Sequence, residues 1–208
     1  MNKIVFLMVF CLLTDLVLLN AQERSAELNN GKVGFSFSSF GNNDVFRFNP
    51  LVGAASYEGE NFFTFGISYT YVLNKWLKAE SGIEYSKHDI LISPNLPPGM
   101  DSSPREADFT LINVPLTLKA NLVKFFFING GFILDLDAST DSPIDNQTGL
   151  GAILGLAIKY DFDCGVSAFI NPYTKVHSLI PFAGGDYHQR VWEDGFKIGV
   201  TYNFRRIK

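Results

Sequence analysis

The stretch GFKIGVTYNF, Gly195 to Phe204, alternates without a break: Phe196, Ile198, Val200, Tyr202 and Phe204 on one face, Lys197, Gly199, Thr201 and Asn203 on the other. Successive side chains of an extended strand point to opposite sides, so a period of two predicts a strand with one greasy and one polar face. Seven more segments fit the same template. Lys32 to Phe40 sets Val33, Phe35 and Phe37 against Gly34, Ser36 and Ser38, and Phe62 to Asn74 sets Phe63, Phe65, Ile67, Tyr69, Tyr71 and Leu73 against Thr64, Gly66, Ser68 and Thr70. Trp76 to His88 alternates Leu77, Ala79, Ile83 and Tyr85 with Lys78, Glu80, Gly82 and Glu84. Phe109 to Asn121 alternates Ile112, Val114, Leu116 and Leu118 with Asn113, Thr117, Lys119 and Asn121. In the fifth segment Phe126, Ile128, Phe132, Leu134 and Leu136 oppose Asn129, Gly131, Asp135 and Asp137. The sixth sets Leu150, Leu154, Leu156, Ile158 and Tyr160 against Gly149, Gly151, Gly155, Lys159 and Asp161. The seventh, Cys164 to Val176, has the weakest pattern, because Phe169 and Tyr173 share a face with Ser167, Asn171 and Lys175.

The connections carry as much information as the strands. Long stretches at 41–61, 89–108 and 178–191 and a medium one at 138–147 alternate with tight turns at Asn74-Lys75, Leu122-Val123-Lys124 and Phe162-Asp163. An even-stranded barrel with short periplasmic turns and longer outside loops produces this rhythm. Each segment reaches the roughly 9–11 residues that a tilted strand needs to cross a bilayer. Closure follows physically, since an open sheet edge in lipid would leave backbone amides unpaired. Trp76, Phe125, Tyr160, Phe162, Tyr202 and Phe204 lie toward the short turns, and Phe40, Phe62, Tyr85, Phe109 and Trp192 toward the long loops, as two headgroup belts would require. The expected fold is therefore all-β: an eight-stranded antiparallel transmembrane up-and-down β-barrel of the bacterial outer membrane, embedded in its lipid.

Composition agrees. The chain has 208 residues, enough for one sizeable domain. Charged residues make up 18%, below the usual ~25%, and aromatics 14%. A net charge of −4 argues against a nucleic-acid partner. Lys3, the apolar run Ile4 to Leu13, its continuation Leu16 to Leu19 and then Asn20-Ala21 read as a signal peptide over 1–21. Residues 22–30 are expected to form a short periplasmic segment and 31–208 the barrel. Cys11 falls in the apolar run, which leaves Cys164 alone; it is expected to be a packing residue, with no disulfide. No metal site and no cofactor are expected.

A lipocalin-type barrel would reverse the two faces, apolar side chains inward. The loop rhythm, the aromatic last strand and the glycines on the polar face favour the membrane version. The lumen would then hold Lys78, Lys119, Lys159 and Lys197 with Glu80, Glu84, Asp135, Asp137 and Asp161, a structural polar network. Eight strands enclose a space just wide enough for side chains to fill, so a plug is expected rather than a conduction path.

LINVPLTLKANL, Leu111 to Leu122, resembles a motif of the PorT-like outer-membrane β-barrel family: a proline flanked by apolar residues, then alternating Leu and Lys. EDGFKIGVTYNF, from Glu193, is similar to that family's closing strand. The alternating Phe196, Ile198, Val200, Tyr202 and Phe204 are similar to the signal read by the barrel assembly machinery, although Arg205 to Lys208 follow the aromatic here. The resemblance implies the barrel type and is nearly silent about activity.

The functional expectation is a non-enzymatic structural or adhesive protein, or an accessory to a secretion or envelope system, with an unidentified envelope partner met through the loops. SPNLPPGMDSSP within 89–108 and FAGGDYH at Phe182 to His188 are the flexible candidates. Rival readings are a small passive pore and a lipid hydrolase or acyltransferase. The latter rests only on His177-Ser178, neighbours expected to point to opposite faces of a strand. His88 and His188 are expected to be loop-end residues without an acid or nucleophile beside them.

Overall fold

The computed structural model describes residues 31–203 apart from 50, 52, 75, 98 and 101. The expected signal peptide, the segment 22–30 and Phe204 lie outside the described residues. Eight strands follow in order: β1 Lys32–Phe46, β2 Ser56–Val72, β3 Leu77–Ser93, β4 Arg105–Val123, β5 Phe126–Asp137, β6 Gly149–Asp161, β7 Val166–Pro181 and β8 Arg190–Asn203. Each pairs antiparallel with its sequence neighbours, and β1 pairs with β8 to close the barrel. The short connections are 73–76, 124–125 and 162–165; the long ones are 47–55, 94–104, 138–148 and 182–189. In the first turn the Asn74 side chain accepts the amide hydrogens of Trp76 and Leu77 at 2.9 and 2.8 Å, so a polar side chain replaces the missing ladder bonds.

Outside, Phe35, Phe65, Ile83, Leu116, Phe132 and Leu154 belong to a continuous exposed apolar band, and Phe132 keeps 67% of its surface. Water-soluble monomers rarely expose patches beyond a few hundred Å². A band encircling the whole sheet is stable only when hydrocarbon surrounds it. Inside lie Thr64, Glu84, Asn113, Thr117, Lys119, Asn129, Lys175 and Lys197, all buried.

The strands run past the membrane on the long-loop side, further than alternation alone predicts. β1 continues to Phe46 instead of Phe40, β2 starts at Ser56 instead of Phe62, and β8 starts at Arg190 instead of Gly195. In this extension the two faces exchange character. Lys87 and Asp108 form an outward-facing ion pair at 3.3 Å, two positions above the exposed Tyr85 on β3. Ile90, Ile92, Phe109, Leu111 and Val191 pack inward with Ile144 from the 138–148 loop. Lipid gives way to water at that level, so the sheet reverts to the ordinary apolar-in arrangement and caps the lumen. Phe62 and Phe109, expected in the outer belt, are instead buried inside on either side of the His88 ring.

Two local features accommodate awkward residues. Pro115 pairs with Ile133 on the β5 side, but on the β3 side pairing skips from Ser81↔Leu116 to Glu84↔Asn113. The missing amide hydrogen of the proline thus falls where the ladder is already open. Cys164 sits exposed in the 162–165 turn rather than packed in the interior, as its position three residues beyond Asp161, the end of β6, dictates.

Candidate functional site

The lumen is built in tiers. At the short-turn end Lys32 donates to Ser167 at 2.9 Å, Lys159 to Asp161 at 3.0 Å, and Ser167 to Asp161 at 2.5 Å. Lys78 lines the same vestibule, a cavity of about 40 Å³. Above it Lys119 forms an ion pair with Glu80, which also accepts from Thr70 at 2.8 Å. The Lys119 ammonium lies 5.2 and 5.3 Å from the Phe127 and Phe169 ring centres, so these two lumenal rings serve as cation partners.

The middle tier is the densest. Glu84 pairs with Lys197 through one oxygen and with Lys175, at 3.0 Å, through the other. Lys175 also reaches Glu193 at 3.2 Å. Tyr173 donates to Glu193 Oε1 at 2.5 Å and shares a 2.7 Å hydrogen bond with Ser38. This explains the poor alternation of the seventh strand: Tyr173 points inward because its hydroxyl bridges the charge network. Charges removed from water this completely persist only when paired and hydrogen-bonded.

Of the nine lumenal charges expected from sequence, the structure joins Glu84 with Lys197, Glu80 with Lys119 and Asp161 with Lys159. Asp135 and Asp137 do other work. Asp137 accepts the amide hydrogens of Ser139 and Gln147 at 3.0 Å each and so ties down the 138–148 loop. Asp135 accepts from His177 Nδ1 at 2.9 Å and from the Ser178 amide at 2.9 Å. Lys32, Lys175 and Glu193 join the network without having been expected there.

The upper tier corrects the sequence reading of the histidines. Pairing of β6 with β7 passes from Leu150↔Ile180 to Ala152↔Val176, so His177, Ser178 and Leu179 together face Gly151. Ser178 takes a left-handed φ of 48°, and both His177 and Ser178 are fully buried. A bulge has suspended the rule that neighbours point to opposite faces. His177 then meets Asp135, whereas Ser178 lies 3.4 Å from His188 Nε2. His188, in the 182–189 loop, is held below the ordinary imidazole pKa by its removal from water. His88 is likewise no loop-end residue: it is fully buried, with Nε2 3.5 Å from Glu193 Oε2.

Gly151 makes the arrangement possible. A Cβ there would stand 2.6 Å from Asp135 Oδ2 and 2.6 Å from the Val176 carbonyl oxygen. Gly151→Ala is expected to lower stability by about 1–3 kcal/mol, read from urea unfolding in lipid vesicles. An unchanged midpoint would show that β7 has room to move.

The sequence matches no protein-family model and no curated protein. The fold is similar to that of outer membrane protein AlkL, solved by solid-state NMR in DMPC lipid bilayers. The likeness has a TM-score of 0.52 at 15% identity and covers 89% of this chain and 95% of that one. The chain is an eight-stranded transmembrane barrel of the outer-membrane type. Two further solved structures are similar over most of their length. Ail, the attachment invasion locus protein of Yersinia pestis, gives a TM-score of 0.47 at 15% identity, covering 84% of this chain and 99% of that one. The translocator domain of autotransporter NalP from Neisseria meningitidis gives 0.36 at 12%, covering 92% and 96%.

Proposed function

We propose that this outer-membrane barrel is a closed, non-enzymatic scaffold that works through its extracellular loops, as a structural or adhesive protein or as an accessory to a secretion or envelope system. The observation that carries the first half is the filled lumen. Its cavities at the vestibule and around Glu84 measure about 40 and 20 Å³, room for a water or two. Above them the apolar cluster around Phe109 and Ile144 closes the outer mouth. Reconstituted in planar bilayers, the protein is expected to give no steady conductance. Sizeable, lasting single-channel currents would favour the passive pore instead.

The catalytic alternative finds a serine and a histidine, Ser178 and His188, but the serine is fully buried and thus offers no nucleophile to lipid. The loops supply the other half of the proposal. Arg47 and Asn49 bond the carbonyls of Tyr187 and Asp186 at 3.1 and 2.9 Å, and Asp145 accepts from the Gln189 amide at 2.9 Å. Loops 47–55, 138–148 and 182–189 are thereby knitted into one platform. Loop 94–104, on the same side of the barrel, exposes Leu96 and Met100, and loops on a rigid scaffold are where binding usually resides. Deleting Pro94 to Pro104 is expected to leave the barrel folded and to abolish capture of an envelope partner cross-linked in intact cells. Undiminished capture would contradict a binding role for this loop. The resemblance of Leu111 to Leu122 to a PorT-like motif is what suggests a secretion or envelope setting, and the alternation of Phe196, Ile198, Val200, Tyr202 and Phe204 in the sequence is what suggests recognition by the barrel assembly machinery.

A further inference from the structure

Four buried polar atoms without a well-formed hydrogen bond among the described residues converge above the middle tier: His88 Nδ1 and Nε2, and His177 Nε2 and Glu193 Oε2, which stand 3.4 Å apart and can share one proton. Each would cost free energy if left unsatisfied, and such orphans in a folded protein call for an explanation, a bound ion or water among them. His88 is fixed by stacking against Phe109 at 4.9 Å and Phe62 at 6.0 Å between ring centres. His177 is fixed by its Nδ1 bond to Asp135, which leaves Nε2 to face inward. Glu193 is fixed through its other oxygen by Tyr173 and Lys175.

From this geometry we infer that His88, His177 and Glu193 form a divalent transition-metal site of the zinc class, with Asp135 as the residue that orients His177. One donor atom from each of the three lies within 4.8 Å of the others. Zinc–nitrogen and zinc–oxygen bonds of about 2.0–2.2 Å at tetrahedral angles place donor atoms roughly 3.3–3.5 Å apart. Glu193 Oε2 stands 3.4 Å from His177 Nε2 and 3.5 Å from His88 Nε2, so two of the three edges already match. The third, between the two imidazoles, is within 4.8 Å and would have to shorten by up to about 1.4 Å. Two imidazoles and a carboxylate suit zinc and its neighbours rather than calcium or magnesium. A carboxylate on the far nitrogen of a ligating histidine is the usual outer support for such a site. A fourth ligand would have to be a water.

Charge alone does not select the ion: Asp135, Glu84 and Glu193 give three carboxylates against the two lysines Lys175 and Lys197, all buried, a deficit of one positive charge that a proton on His177 would balance and a divalent metal would exceed by one. A proton on His177 Nε2 would answer Glu193 but leave both His88 nitrogens without partners; a metal joins the two rings. The site is independent of the loop surface and of the proposal made for it.

The test uses the full processed chain, extracted in mild detergent, stripped with a chelator and then dialysed against Zn²⁺ or Co²⁺. One equivalent of zinc is expected, with the visible absorption of four-coordinate Co²⁺ and X-ray absorption showing two imidazoles at about 2.0–2.1 Å. His88→Phe and His177→Gln are expected to abolish it, and Asp135→Asn to weaken binding about 10–100-fold. Heat-modified gel migration identifies the folded variants. No stoichiometric metal on the unaltered protein, or metal equally retained by folded His88→Phe and His177→Gln, would overturn the assignment. Should either variant not fold, the cobalt and X-ray spectra of the unaltered protein decide the matter.

Discussion

Glu84→Ala is expected to destabilise the barrel by about 3–5 kcal/mol. Its two carboxylate oxygens hold Lys197 and Lys175, and truncation leaves the ammonium of Lys197 in a lumen where it has lost its partner. Lys175 keeps Glu193, so the loss concentrates on one lysine. The cost comes from an uncompensated buried charge rather than from the strength of the ion pair. A double replacement, Glu84→Met with Lys197→Met, is therefore expected to recover most of it. Urea unfolding in phospholipid vesicles, followed through Trp76 and Trp192, reads both changes. A loss below about 1 kcal/mol for the single variant, the range of solvated surface pairs, would mean that water reaches this tier.

The second large effect lies on the opposite face of the sheet. Leu116→Arg is expected to cost about 2–4 kcal/mol, although Leu116 is exposed and a surface leucine of a water-soluble protein tolerates arginine. Its depth follows from the register. Leu77 pairs with Ala120 near the inner belt and Tyr85 with Ile112 near the outer one, which leaves Leu116 midway between them. Depth also predicts where the effect fades: Tyr160→Arg, beside the 162–165 turn, is expected to cost only about 0–1 kcal/mol. Equal, small costs at both positions would indicate that no hydrocarbon surrounds the sheet.

The parts of the fold legible in the sequence are those immersed in lipid. Along β2, β4 and β6 every outward residue must be apolar and nearly every inward one polar or glycine, so the period of two stands out. Above Tyr85 that contrast is lost, because Lys87, Asp89, Glu106 and Asp108 face water while Ile90 and Phe109 face inward. The same strands continue, but their pattern inverts, and the sequence there reads as loop. Inverted phase also explains why Phe62 and Phe109 look like belt aromatics.

The charged lumen was legible as a set of residues, not as a set of partners. Lys119 with Glu80 and Lys197 with Glu84 join different strands, and nothing local in the sequence selects those pairs. The upper tier was illegible for a further reason. His88, His177 and Glu193 come from β3, β7 and β8, with no short spacing to give them away. The bulge that turns both His177 and Ser178 inward leaves no motif of its own. A glycine at 151 opposite a Ser on a strand end is a signal only once the register is known.

The claim on which the rest depends is that the leucine-rich face of each strand touches lipid and the ionic face is enclosed. Nitroxide labels placed singly along β6, in protein reconstituted into bilayers, test it most directly through their collision rates with dissolved oxygen. High rates are expected at Ala152, Leu154, Leu156 and Ile158, and low rates at Ile153, Gly155 and Ala157, a clean two-residue alternation. The opposite phase, or uniform rates along the strand, would contradict the account.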